Sequence, residues 1–195
     1  MSKQAVKEKG IRLFGKWSTE EVTVEDLGLR SCVTVAPTII PHSDGKHEHQ
    51  KFRKSSVNIV ERLTNNLMRH GKCGGKKFKA IGIVRNALQI VQLKTNQNPV
   101  QSLIKAIENS APCEEVTRIV YGGVAYPVSV DIAPQRRIDL ALRFIADGAR
   151  QPALGNPKTI DECLADEITL ASQRDPKSQA VRKRDEIERI ALSSR

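Results

Sequence analysis

A mainly α-helical bundle of about six helices, carrying one projecting β-hairpin arm and an irregular N-terminal extension, is the fold this sequence predicts. Three observations predict it. From about residue 55 onward the apolar residues recur at helical spacing in successive blocks. One stretch alone, RIVYGGVAYPVSVDI at 118–132, breaks that period with two short β-rich runs on either side of Gly122-Gly123. No internal repeat and no run of eighteen apolar residues is present, which excludes a solenoid and a membrane-spanning helix. The expected division is an extension over 1–50 and a helical domain over 51–195, with the arm at about 114–132.

The extension contains WSTEEVTVEDLGLRSCVTVAPTIIPHSDGKH, which has weak alternation, two prolines and no sustained helical period. It reads as irregular chain packed on a neighbour or on the core. Its start, MSKQAVKEKG, lacks the apolar segment of a secretory signal, so an intracellular location is expected. His42, His47 and His49 cluster there, but their irregular spacing among Ser, Asp and Gly reads as a solvated loop rather than a metal site.

The helical blocks follow. SSVNIVERLTNNLMRHG offers a Ser cap, a stripe of Val60, Leu63 and Leu67, and Gly71 as a stop. KKFKAIGIVRNALQIVQL places Ile81, Val84, Leu88 and Val91 on one face. NPVQSLIKAIENSAP starts with Asn98 as cap and Pro99 in the first turn, aligns Val100, Leu103, Ile104 and Ile107, and stops before Pro112. Pro134 opens a fourth helix with Ile138, Ala141, Leu142 and Ile145 on one stripe. Thr159 and Glu162 have capping-box spacing and open a fifth, with Ile160, Leu164, Ile168 and Ala171. Asp175-Pro176 starts a sixth, basic one that contains VRKRDEIERIALSSR.

In the hairpin, Gly122 and Gly123 suit the two positive-φ positions of a type I′ turn. That turn pairs Tyr121 with Val124, Ile119 with Tyr126 and Thr117 with Val128 on one face, and Val120 with Ala125 and Arg118 with Pro127 on the other. A lone two-stranded hairpin is marginal in water, so its apolar face needs something to lie against. Two readings follow: a hairpin flat on its own core, or an arm whose Tyr121 and Tyr126 meet a ligand, as tyrosines on strands do with bases.

Thirty-two Lys and Arg stand against twenty-two Asp and Glu, a formal charge of +10 that favours a polyanionic partner. The surplus is local. Residues 51–85 hold ten Lys and Arg, among them Lys51, Arg53 and Lys54, against the single acid Glu61. The acidic stretch 160–175 is expected to face solvent or protein. Lys72, Lys76, Lys77 and Lys79 surround glycines just before a helix start, where backbone donors and helix dipole favour anions. Arg136, Arg143 and Arg150 are seven apart, so they share one helix face opposite the apolar stripe, and arginine forks suit phosphate.

Several functions are disfavoured. The four cysteines, Cys32, Cys73, Cys113 and Cys163, lie far apart without CxxC pairing, and read as reduced, mostly buried thiols rather than a zinc site. The glycine-lysine loop lacks Walker spacing, and no nucleophile–base pair or paired carboxylates appear, so neither an enzyme nor a cofactor is expected.

The run RKSSVNIVERLTNNLMRHG, NPVQSLIKAIENSAPCEEVTRI, YGGVAYPVSVDIAPQRRIDLALRFIADGAR, KTIDECLADE and VRKRDEIERIA resembles the universal small-subunit ribosomal protein family numbered seven in bacteria and five in eukaryotes. The resemblance covers about residues 51–195. LFGKWS at 13–18 resembles the extension of eukaryotic cytosolic members, whereas YGGVAYP resembles an archaeal tip; a divergent eukaryotic source is expected first and an archaeal one second. The family implies a mostly helical domain with a hairpin arm that binds ribosomal RNA of the head, the 3′ major domain, and helps assemble it. It implies an arm near the exit-site tRNA and the mRNA exit, neighbouring head proteins as partners, and a cytosolic ribosome. Carried over by motif, Lys76, Lys77, Lys79, Arg136 and Arg137 match RNA-contacting segments, and Arg118 to Tyr126 the arm. The basic C-terminal residues Arg182, Lys183 and Arg184 join them as expected RNA contacts. The competing readings are a free-standing basic helical protein acting on DNA or another RNA, and an RNA-modifying enzyme. The first lacks a helix-turn-helix pair, and the second lacks a cofactor motif.

Overall fold

The structure, a computed structural model, describes residues 10–45, 50–69 and 73–195. Their elements, in order, are α1 (Leu27–Arg30), α2 (Ile59–Leu67), α3 (Lys77–Thr95), α4 (Pro99–Ser110), β1 (Glu114–Tyr121), β2 (Val124–Asp131), α5 (Pro134–Ala153), α6 (Ile160–Ser172) and α7 (Gln179–Ser193). α6 packs against α3, α4, α5 and α7, so its Leu164, Ile168 and Ala171 sit at the centre of the core. The stripes of α2, α3, α4 and α5 named from the sequence are buried against it.

Helix starts follow local chemistry, with two corrections. Asn98 caps α4 by accepting from the Val100 amide at 3.1 Å, and the Thr159–Glu162 capping box is formed. The cap of α2 is Asn58 rather than a serine: its Oδ1 accepts from the Val60 amide at 3.0 Å, while Ser55 and Ser56 lie in a 3-10 turn over Arg53–Ser56. The last helix is capped by Ser178, with Asp175 and Pro176 held in the preceding turn, where Asp175 accepts from the Lys177 amide.

The extension lies on the core. Leu13, Trp17 and Leu29 are buried in the main cluster, the Trp17 indole donates to Gln92 at 2.8 Å, and the Asn98 amide donates to the Ser18 carbonyl at 2.8 Å. Polar side chains of the helices thus satisfy the backbone of a segment with no ladder of its own. The cysteines are free but not mostly buried: Cys163 is buried, Cys32 and Cys73 are half-buried and Cys113 is exposed. Among the described residues no helix is long and apolar enough to cross a membrane, and no three His, Cys, Asp or Glu are placed to hold a metal. His47 and His49 lie outside them.

The hairpin has the register expected from its turn, Tyr121 opposite Val124 and Arg118 opposite Pro127, with Gly122 and Gly123 at φ of 58° and 85°. Its base packs on α7, and Ser129 donates to Glu114 at 3.1 Å. Beyond Val116 every residue of β1 is exposed, and Val124 to Val128 opposite are exposed as well. Of the two readings, the projecting arm is the one the fold adopts.

Candidate nucleic-acid interface

Two basic segments far apart in sequence meet on one surface. The segment before α2, with its 3-10 turn, brings Lys51 and Lys54, the chain just past α2 brings Arg69, and the first half of α5 brings Arg136 and Arg143, all lining one open groove of about 540 Å³. Asp139 lies on the floor and holds Lys54 at 2.8 Å and the buried Arg62 at 3.0 Å, which fixes the spacing of α2 and α5. Arg136 leans on Glu115 of the arm's base at 2.7 Å, and that hydrogen bond and charge raise its already high pKa. Arg143 is exposed, 3.9 Å from Asp147.

The rest of the expected arginine stripe turns inward. Arg150 bonds Asp147 at 2.9 Å and donates to the carbonyls of Asn66 and Leu67 at 3.3 Å each, capping the C-terminal end of α2. The reason is the length of α5: two turns past Arg143 the helix runs against α2, whose last carbonyls lack intrahelical partners. Arg137 is likewise held, by Asp26 of the extension at 3.0 Å and the Pro112 carbonyl at 3.2 Å. Arg184 is buried and donates to the Asn109 carbonyl at 2.6 Å.

At the start of α3, Lys76 and Lys79 are exposed and make no ion pair among the described residues, whereas Lys77 is committed to Glu61. Burial pushes the Glu61 carboxyl up, but Lys77 together with the Ser43 amide and hydroxyl more than offsets it, so its pKa is lowered. Lys72 lies outside the described residues. Arg53 and Arg118 are exposed and free of ion pairs among the described residues. Arg182 spends its fork on the carbonyls of Pro176 and Lys177, and Lys183 pairs with Glu186 at 2.7 Å. The acidic stretch is occupied by protein: Asp166 meets Lys94 and Lys158, and the buried Glu167 accepts from Ser178 and the Ala180 amide at the start of α7. Gly148 makes that reach possible, since a Cβ there would stand 2.9 Å from the Glu167 carboxyl.

Both tyrosines of the chain are on the arm, Tyr121 at the tip with 81% of its surface exposed. Sequence reasoning missed two further aromatics. Phe52, at positive φ beside the groove, and Phe78, tilted over His42 with ring centroids 5.9 Å apart, are 76% and 79% exposed. Each sits between basic residues, KFRK and KKFK, and that interleaving was the available signal.

A helical scaffold with a basic groove, exposed aromatics and a projecting arm defines the class of a binding scaffold, and the family it matches is a structural, non-enzymatic one. The chain belongs to the ribosomal protein S7p/S5e family, whose pattern matches residues 29–195. It is 55% identical to the small ribosomal subunit protein uS7 of Methanosphaera stadtmanae over 94% of this chain and 98% of that one. The uS7 proteins of Methanococcus maripaludis and Methanothermobacter thermautotrophicus are 53% and 51% identical, over 95% and 93% of this chain and 99% and 98% of theirs. These alignments span 182 to 186 residues, more than 29–195 holds, so the likeness reaches into the extension. All three relatives are archaeal.

Proposed function

We propose that this chain is a structural constituent of the small ribosomal subunit, binding ribosomal RNA of the head, the 3′ major domain, and helping that domain assemble beside neighbouring head proteins in the cytoplasm. The observation that carries the reading is the meeting of Lys51, Lys54, Arg69, Arg136 and Arg143 in one groove at the base of an exposed arm. A folded RNA presents phosphates on several strands at once, which suits basic groups gathered from separate elements better than a single recognition helix would. The relatives' name, small ribosomal subunit protein, supports the same assignment. In this reading the arm, apolar and tyrosine-bearing with no core to cover it, reaches the exit-site tRNA and the mRNA leaving the subunit, and its exposed tyrosines support that role. Sedimentation of a tagged full chain through a sucrose gradient tests the assignment: comigration with small subunits is expected, and a position at the top of the gradient in cells with intact ribosomes would overturn it.

A further inference from the structure

Next to the large groove lies a smaller one of about 380 Å³, lined by Lys54, Arg62, Asn65, Arg69 and Lys77 among others. Its charges are unevenly satisfied. Lys77 is neutralised by Glu61, and Lys54 shares Asp139 with one end of Arg62. Arg69 has no ion pair among the described residues, and the Asn65 side chain has no hydrogen bond there. Arg62 is the unusual member. Its side chain is only 2% exposed, Nη1 donates to the Cys32 carbonyl at 3.1 Å and Nη2 to Asp139, yet Nε has no partner among the described residues. A buried N–H on a charged group left unpaired has given up its water without a replacement, so a lining arginine in this state wants an acceptor. The groove is far larger than the ~30 Å³ of one water.

We propose that this smaller groove seats one phosphate group of an RNA backbone, with the exposed Arg69 guanidinium as its outer donor, Asn65 beside it, and the covered Arg62 Nε as an inner donor that a shift of the rim side chains opens to the phosphate. The inference rests on the RNA-binding reading above and makes it specific. A backbone is the favoured source because the two grooves adjoin, with Lys54, Asn66 and Arg69 lining both, so a strand laid along the larger one passes beside the smaller. A phosphodiester carries a single negative charge, which the unpaired Arg69 balances while Asp139 and Glu61 keep their own partners. Arginine forks match such an oxyanion better than the lysines at the rim do.

Ethylation interference on a head-domain RNA transcript tests this with full-length wild type, Arg69→Gln and Arg62→Lys. Wild type is expected to be blocked by ethylation at a set of phosphates, and both variants to become indifferent to the same one of them, with the rest of the pattern kept. The salt slope of affinity should fall by about one unit in Arg69→Gln. Arg62→Lys also disturbs the bonds to Cys32 and Asp139; if it melts early, the exposed Arg69→Gln carries the test alone. An unchanged pattern in Arg69→Gln, or weakening spread evenly over every phosphate, overturns the seat. A second arm adds inorganic phosphate to the free protein at constant ionic strength: a rise in melting temperature that Arg69→Gln abolishes, with unchanged RNA interference, would assign the groove to a free anion and overturn the backbone source. Failure of wild type to enter small subunits would sink the functional reading instead, so the two failures are distinguishable.

Discussion

Replacing Glu61 with Gln should cost more stability than any other single isosteric change on the basic face. Glu61 is 2% exposed and joins three segments: it accepts from the Ser43 amide and hydroxyl at 2.9 Å each, and from Lys77 at the first residue of α3. Glutamine keeps an acceptor for Ser43 but removes the counter-charge of Lys77, whose side chain is 18% exposed. Breaking a buried ion pair by removing one partner costs about 3–5 kcal/mol. Lys77 has a flexible stem and an exit to solvent, which lowers the expected cost to about 2–3 kcal/mol. In a chain of this size that is a fall of roughly 4–12 °C in melting temperature. The sign of the pH dependence follows from the lowered Glu61 pKa. The unfolded carboxyl, near 4.5, takes up protons before the folded one does, so the stability that Glu61 contributes is fully present above pH 4.5 and is lost as the pH falls through the folded value. Thermal melts by circular dichroism across pH should therefore show wild type well above Glu61→Gln at neutral pH and the two converging in acid. Glu61→Gln combined with Lys77→Met should recover part of the loss. A difference under about 1 kcal/mol at pH 7, or a gap that does not narrow in acid, would refute the reasoning.

Trimming residues 118–127 to a short glycine turn should leave the helical signal intact and change stability by no more than about 0.5 kcal/mol, because those side chains cover no core, while weakening retention of exit-site tRNA on purified small subunits. A large drop in melting temperature would show that the arm is structural. Arg136→Glu with Arg143→Glu should yield folded protein that fails to enter small subunits, measured by melting and gradient position. Arg150→Ala should instead lose about 1–3 kcal/mol by leaving the Leu67 carbonyl without a donor among the described residues and the Asn66 carbonyl with backbone amides alone, and equal melting of the two proteins would contradict this division. Filter binding to head-domain RNA should weaken by about 10³- to 10⁵-fold between 50 and 200 mM salt if roughly six to ten phosphates are contacted, and a flat response would rule out phosphate-dominated binding.

The sequence by itself determined what depends on near neighbours along the chain. Apolar spacing located the stripes of α2 to α6, Asn98-Pro99 and Thr159–Glu162 marked two helix starts, and Gly122-Gly123 set the register of the arm through the two-residue turn that pair favours. Charge counting also located the basic block, because net charge needs no coordinates. Tertiary structure alone decided which of those charges face outward. Arg136, Arg143 and Arg150 are equivalent by helical phase, yet only Arg150 meets the open end of α2; Arg136 and Arg137 are adjacent, yet Arg137 finds Asp26, 111 residues away. Lys76, Lys77 and Lys79 look alike in a row, yet Glu61 takes only the middle one. The same holds for Trp17 on Gln92 and for Glu167 passing Gly148 to reach α7. Periodicity tells which face of a helix is apolar, but an ion pair or a cap forms with whatever the fold brings within about 3 Å, and that distance is set by the packing of elements remote in sequence.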